Sequence, residues 1–182
     1  MMVVASSLDG YIAASREQVA TAWTSKEDKA WFGKISRELG VVVMGGPTYA
    51  TIGKPLPSRQ TVVMTLDEEL VGAQPIEAYD GQSETGLYQA KCMSVRQVRE
   101  ILETKGVETM LIGGGATIYR EFLQAGEVDE IYLTLEPVFF GGGVKLLGEG
   151  LCRQPIRLEL ITKIELSTQT TVLHLRVKKE EK

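Results

Sequence analysis

Val41-Val42-Val43-Met44-Gly45-Gly46-Pro47-Thr48 carries a continuous β-branched run straight into two glycines and the start of a helical pattern. A run that is apolar at every position is what a strand buried on both faces requires, since neither side meets water. Leu111-Ile112-Gly113-Gly114-Gly115-Ala116-Thr117 repeats the arrangement. Glycines at such turns let a phosphate approach the backbone, where the free N–H groups of the helix start receive it. Tight packing alone also asks for glycine there. Two such turns at the carboxyl ends of parallel strands are nevertheless where open α/β sheets bind dinucleotides. No Gly-Lys-Ser/Thr follows either turn, and neither spells G-x-G-x-x-G, so a P-loop and the Rossmann fingerprint are both excluded.

Outward from these turns, residues 2–6, 61–65, 109–112 and 131–135 read as further strands. Helical patterns fall at about 25–39, 47–52, 94–105 and 117–125. Gly106 and Gly126 stand where left-handed caps are wanted, and Ser94 with Gln97 makes a capping box. This alternation predicts a mostly parallel sheet with helices on both faces, an α/β fold. At the C-terminus the pattern changes. Leu158, Leu160, Ile164 and Leu166 mark one strand with a bulge near Ile161, and Ser167-Thr168-Gln169 turns the chain into a second, over 170–178. That is an antiparallel hairpin at the sheet edge. Residues 67–90 are polar and read as a surface excursion, and 178–182 are expected to fray. No repeat or linker divides the 182 residues, which read as a single domain.

Composition narrows the partners. Hydrophobic residues are 43% and charged residues 24%, with net charge −4, which suits a folded domain rather than a disordered chain. No Lys/Arg stripe and no long apolar run is present, so nucleic acid and membrane are poor partners. The N-terminus lacks the basic region of a signal peptide. Cys92 and Cys152 are too far apart in sequence for a metal motif, and a reducing cytoplasm is the simplest setting. With one histidine a Cys/His zinc site is nearly excluded. That histidine, His174, lies in an alternating strand pattern and reads as a solvent-facing or satisfied strand residue. The glycines are the anomaly: 19 of 182, or about 10% against a usual ~7%.

On the helical pattern at 25–39, Asp28 falls on the same arc as Trp31, Phe32, Ile35 and Leu39. A first-turn aspartate after a Ser25 cap has an ordinary structural reading, since the helix dipole favours it. The functional reading is an acid aimed into an apolar pocket, with burial raising its pKa and the helix start lowering it. Gly141-Gly142-Gly143 reads on composition as a flexible loop.

Taken together, six blocks resemble the dihydrofolate reductase superfamily, and within it the reductase domain of the bifunctional riboflavin-biosynthesis deaminase–reductase. They are Ser7-Leu8-Asp9-Gly10-Tyr11-Ile12; Trp23 through Asp28 to Phe32; Met44 to Tyr49; Gly53-Lys54-Pro55-Leu56-Pro57-Ser58-Arg59; Ile112 to Thr117; and Val128-Asp129-Glu130-Ile131 to Pro137 with the three glycines 141–143. They run in family order over residues 1 to about 150. The resemblance implies a three-layer dihydrofolate-reductase-like fold, a homodimer and an NADPH-dependent reduction of a small-molecule substrate. It places Asp28 as the residue holding the substrate's heterocycle, supported by Thr134, with Trp23 and Phe32 beside it and Arg59 taking an anionic tail. It implies that Ile12, Gly45, Gly46, Thr48, Thr65, Gly114, Gly115, Ala116 and Thr117 line the NADPH site.

Ser-Leu-Asp-Gly and Gly-Gly-Ala-Thr are similar to the riboflavin branch, whereas Trp23, Asp28, Pro-Leu-Pro-Ser-Arg and Thr134 are similar to dihydrofolate reductase. The zinc deaminase motifs are absent. Val3 stands where the riboflavin enzymes carry a lysine, and Gly46 where dihydrofolate reductases carry a basic residue for the cofactor 2′-phosphate. The first expectation is a pyrimidine reductase of the riboflavin type, the second dihydrofolate reductase, and the third a nucleotide-binding protein without turnover.

Overall fold

Val41–Gly45 is buried at every position, and the alternation of side chains along it divides the interior into two halves. Val41 and Val43 join a cluster on one face, while Val42 and Met44 join a separate cluster on the other. The computed structural model describes residues 1–19, 22–66, 69–149 and 155–179. In chain order its elements are β1 (Met2–Ser7), β2 (Tyr11–Ala13), α1 (Lys26–Leu39), β3 (Val41–Gly45), α2 (Gly46–Ile52), β4 (Gln60–Thr65), β5 (Gln74–Pro75), β6 (Gly86–Lys91), α3 (Val95–Thr104), β7 (Leu111–Ile112), α4 (Ala116–Gln124), β8 (Glu130–Glu136), β9 (Val144–Lys145), β10 (Leu158–Glu165) and β11 (Thr171–Val177), with one short 3₁₀ turn at Ile76–Ala78.

The main sheet has the order β10-β11-β8-β1-β7-β3-β4-β6-β5, and β2 pairs with β9 in a separate ribbon. All pairings from β8 to β5 are parallel, and in this sheet only β11 runs against the others, antiparallel to β8 on one side and to β10 on the other. Two layers of helix enclose the sheet. Ile35 of α1 and Tyr49 of α2 pack with Val3, Val42, Met44, Val63 and Leu111 on one face. Val95, Val98 and Leu102 of α3 and Ile118, Tyr119 and Phe122 of α4 pack with Val4, Val43 and Val62 on the other. This is the three-layer α/β architecture expected from the sequence. The sequence order reverses around β1, β7 and β3, which lie side by side at the centre. That is the switch point where a crevice opens at the carboxyl ends of parallel strands.

The helix signals hold. Ser94 and Gln97 form the full capping box, and Gly106 and Gly126 have φ of +84° and +73°. The C-terminal hairpin carries its irregularity between Leu160 and Thr162. Two expectations need correction. The strand expected at 109–112 is only Leu111–Ile112, because β1 and β3 offer it register partners at just those residues. The excursion expected at 67–90 contains structure instead: β5, the 3₁₀ turn and all of β6 but its last residue, with Ile76 and Ala90 fully buried. Asp67 and Glu68, at its start, lie outside the described residues. Gln89 made β6 look polar, but its side chain is buried and fully engaged, donating to Thr65 Oγ1 (2.7 Å) and accepting from the Leu70 N–H.

Candidate active site

The first helix presents an acid to the crevice. Ser25 caps α1 in extended conformation and its hydroxyl accepts from the Asp28 N–H (3.1 Å). Asp28 is buried, at 7% exposure. Burial pushes its carboxyl above the usual carboxylate range, nearby Thr134 and Thr24 hydroxyls pull it partly back, and the negative Glu136 adds to the rise. Thr24 Oγ1 and Thr134 Oγ1 face this carboxyl without reaching full hydrogen-bond geometry. Among the described residues those two hydroxyls and the indole N–H of Trp31, one turn along α1, are buried without a partner.

The two glycine turns meet below this acid. The Gly45 N–H donates to Gly114 O (2.8 Å), and the Gly113 N–H donates to Val43 O (2.8 Å). Neither α2 nor α4 has a side-chain cap; Gly45 and Gly115 occupy the N-cap positions. The first N–H groups of α4 are therefore free of local partners, and its dipole favours a negative group. The backbone here is packed too closely against its neighbours to carry side chains. A Cβ on Gly115 would lie 2.9 Å from Thr48 Oγ1, and one on Gly45 would lie 3.0 Å from Ile118. Gly114, at φ +109°, lies against Tyr119, whose hydroxyl a Cβ would approach to 2.9 Å. The Gly114–Gly115 peptide is cis. Tyr119 is fully buried and donates to Val3 O (3.0 Å). Its pKa is pushed far up by burial, with the Asp28 charge adding to the rise. Tyr119 thus joins the cradle to the acid.

A strap closes one side. Asp9 accepts from the N–H groups of Phe140 and Gly141 (2.7 Å to Gly141) and from Ser7 Oγ (2.6 Å). Trp23 donates its indole N–H to Ile12 O (2.9 Å) and meets Phe140 edge-on at 4.9 Å. Gly143, at φ +127°, runs so close to Ala13 that a Cβ would sit 2.3 Å from its carbonyl. The glycine triplet that read as a flexible loop is therefore tied down, by Asp9 at one end and the β2–β9 ribbon at the other.

Of the predicted site residues, the structure gathers Asp28 and Thr134 at the head of the crevice and Gly45, Gly114 and Gly115 in the cradle. Trp23 and Ile12 lie in the adjoining strap. Gly46 is the first residue of α2 and Thr48 follows in its first turn; Ala116 and Thr117 open α4. Thr65 ends β4 with its hydroxyl held by Gln89. Phe32 packs against the core on the α1–α2 face.

Arg59 is the outlier. It is buried, donating to Ser36 Oγ (2.5 Å) and Pro57 O (2.9 Å), and it lines a cavity of about 510 Å³ at the amino ends of β3 and β4. Ser36 lies two turns past Asp28, about 12 Å along the helix axis. Arg59 has no carboxylate partner among the described residues, and burial together with Arg37 holds its pKa below the usual value. His174 is a satisfied strand residue, hydrogen-bonded to Glu130 (2.9 Å) and stacked on Tyr132 at 4.1 Å. Sequence reasoning missed Thr24, Tyr119, Gln89 and Glu136. Tyr119 falls at helical spacing from Ala116 and Phe122 in α4, which could have flagged it; the others carry no periodic signal.

Comparison with known proteins agrees with this fold. A dihydrofolate reductase of Bacillus subtilis is 27% identical over 113 residues, covering 62% of this chain and 55% of that protein. The chain thus spans about half the length of that curated relative. The Thermotoga maritima diaminohydroxyphosphoribosylaminopyrimidine deaminase/5-amino-6-(5-phosphoribosylamino)uracil reductase shares the fold at TM-score 0.77 and 18% identity, over 97% of this chain and 56% of that one. Dihydrofolate reductase from Enterococcus faecalis, solved with NADP(H), matches at TM-score 0.70 and 19% identity, over 98% of this chain and 95% of that one. Residues 1–173 match one family along nearly the whole chain, and the protein belongs to the RibD C-terminal domain family.

Proposed function

We propose that the protein is a nicotinamide-dependent reductase of the 5-amino-6-(5-phosphoribosylamino)uracil type, with NADPH as the cofactor. The buried Asp28 above a glycine cradle whose Tyr119 wall feels its charge carries the reductase part of this reading, and the family match over residues 1–173 favours the pyrimidine substrate. The cradle suits a dinucleotide: its backbone is bare at Gly45, Gly114 and Gly115, where the packing admits no side chain, and α4 begins without a cap, so its first N–H groups can receive a pyrophosphate. Gly45, Gly46, Thr48, Gly114, Gly115, Ala116 and Thr117 would hold the pyrophosphate and its neighbours, with Ile12 and Thr65 flanking. The nicotinamide, when bound, supplies the hydride.

The rest of the chemistry belongs to the chain. Asp28 keeps a proton to higher pH than an exposed aspartate would, so it can donate a hydrogen bond or the proton itself to a ring nitrogen. Thr24 and Thr134 offer hydroxyls to the exocyclic groups of a flat heterocycle, and Trp31 offers an indole N–H. Arg59, a buried cation held by Ser36 two turns past Asp28 on α1 (about 12 Å along the axis), suits an anionic group at the far end of the substrate. Trp23 and Phe140 wall the site from water.

A second reading, dihydrofolate reductase, is favoured by the pairing of Asp28 with Thr134 and by the names of the curated relatives. One panel separates them: cofactor oxidation followed by absorbance with the ribosylaminopyrimidine phosphate and with dihydrofolate, NADPH and NADH in parallel. We expect turnover with NADPH and the pyrimidine. Turnover with dihydrofolate alone selects the second reading, and oxidation with neither selects a binding protein without turnover.

The same reading includes a homodimer. Every residue of β10 except Ile164 is exposed, among them Leu158, Leu160 and Ile161. An apolar edge strand with unpaired backbone groups is an association surface. Phe139, 73% exposed, is a second apolar site. Light scattering at micromolar concentration should give the mass of a dimer; a monomer mass overturns this part.

A further inference from the structure

Glu136 is the last residue of β8 and is 5% exposed. A buried carboxylate needs partners, and this one takes them from the start of α1. Its Oε1 accepts from the Ser25 N–H (2.8 Å) and from the Ser25 hydroxyl (2.7 Å). Its Oε2 accepts from Thr170 Oγ1 (3.4 Å), which also lies 3.3 Å from Ser25 Oγ. None of these partners is a cation, so the charge is held by neutral donors. Ser25 Oγ in turn accepts from the Asp28 N–H. The chain of bonds therefore runs from β8 through the cap of α1 to the backbone of Asp28. Thr134, two residues earlier on β8, shares the face of Glu136 and stands beside the Asp28 carboxyl.

We propose that Glu136 is a positioning residue for Asp28: it fixes the first turn of α1 to β8 and sets a second negative charge beside the acid. The proposal rests on the reading of Asp28 as the acid of the reaction. Ser25 has one hydroxyl proton. By accepting it, Glu136 turns the hydroxyl lone pairs toward the Asp28 N–H and fixes the cap's orientation. The charges that face Asp28 are Glu136 from β8, Lys29 from its own helix and, from α4, Tyr119 if ionised. Glu136 raises the Asp28 pKa and Lys29 lowers it. Tyr119 stays neutral across the ordinary range, because burial lifts it well above its usual value. Glu136 is thus the group that keeps the proton on Asp28 beyond what burial does.

Two variants separate position from charge. Glu136→Gln removes the charge but keeps an oxygen for both Ser25 donors; its amide N–H donates to Thr170 Oγ1, whose own proton still has Ser25 Oγ as acceptor. In isotope-labelled protein without substrate, carboxyl NMR should show Asp28 titrating at lower pH in this variant than in the wild type. The alkaline limb of kcat should move down with it. Glu136→Ala strips Ser25 of its acceptor and frees the cap, so kcat should fall by roughly 10- to 100-fold, the scale of a misplaced reacting group. The Gln variant should recover most of that loss at low pH.

An Asp28 titration that does not move in Glu136→Gln, or full turnover in Glu136→Ala, overturns the proposal. A titration that moves while the kcat profile stays fixed upholds Glu136 as the neighbour that tunes Asp28, and overturns instead the reading of Asp28 as the acid.

Discussion

Among the described residues, the four α-helices begin in two different ways. α1 and α3 start on serines whose hydroxyls accept from the backbone, Ser25 from Asp28 and Ser94 from Gln97. α2 and α4 start on glycines with no side-chain cap. Serine at an N-cap satisfies a donor that glycine leaves open. The glycine starts are also the ones that follow central strands directly, β3 into α2 and β7 into α4, and the ones bonded to each other through Gly45 and Gly114. The protein therefore closes the helix ends that serve the fold and leaves open those that face the crevice. α1 does both: its cap is closed, but the turn it fixes carries a buried acid into the same crevice.

The strongest way to break this contrast is to add a side chain at Gly114. Gly114→Ala puts a Cβ 2.9 Å from the Tyr119 hydroxyl at φ +109°, and the two strains together should cost about 3 kcal/mol or more. Urea denaturation measures this; a loss under about 1 kcal/mol would mean that the cradle is looser than its geometry. Gly46→Val sharpens the contrast instead. A Cβ there meets Thr65 Cγ2 at an ordinary 3.5 Å, so the apo protein should melt near the wild type. Cofactor protection should vanish, though, which at about one hundred times Kd is a loss of about 2.7 kcal/mol.

Ser94→Ala tests the other class. It should cost about 1 kcal/mol and leave cofactor protection intact, because the Ser94 hydroxyl is engaged within its own capping box with Gln97. The smallest effect is the stability of Asp28→Asn. Burial raises the Asp28 pKa in the folded state, so folding takes up a proton between the unfolded and folded values, and stability declines as pH rises through that window. At neutral pH the ionised carboxylate is a cost that asparagine does not carry. Asp28→Asn should melt a few degrees above the wild type at pH 7, given about 2–4 °C per kcal/mol for a chain of this size. The gap should close at a pH below the ordinary carboxylate range. A variant that melts lower at pH 7 would show that the helix dipole outweighs burial.

The buried runs at 41–44 and 61–64, the caps at Ser25 and Ser94 and the arc bearing Asp28 were legible because each is a local pattern with a local cause. β6 was not. Tyr88, Gln89 and Ala90 are buried in a strand flanked by β4 and β5, and a glutamine that donates to Thr65 and accepts from Leu70 looks in sequence like any surface glutamine. Glu136 was hidden in the same way. A glutamate before proline reads as a loop residue, and only the fold brings Ser25, 111 residues away in sequence, to its carboxylate. Arg59 matched a family motif, yet its place beside Ser36, two turns past Asp28 on α1, is a property of the fold that no motif expresses. The glycine turns were legible as turns; their bond to each other was not.

The central claim is that Asp28 is the acid of a nicotinamide-dependent reduction, and not merely a first-turn residue favoured by the helix. The most direct test is kcat of Asp28→Asn, with whichever substrate the oxidation panel identifies and with cofactor protection measured on the same sample. Asparagine keeps the shape and is itself at home near a helix start. The account predicts unchanged cofactor protection, with kcat down by roughly 10²–10⁴ and less so at low pH, where solvent can supply the proton. A stable variant with full turnover would contradict it and return Asp28 to the service of the helix.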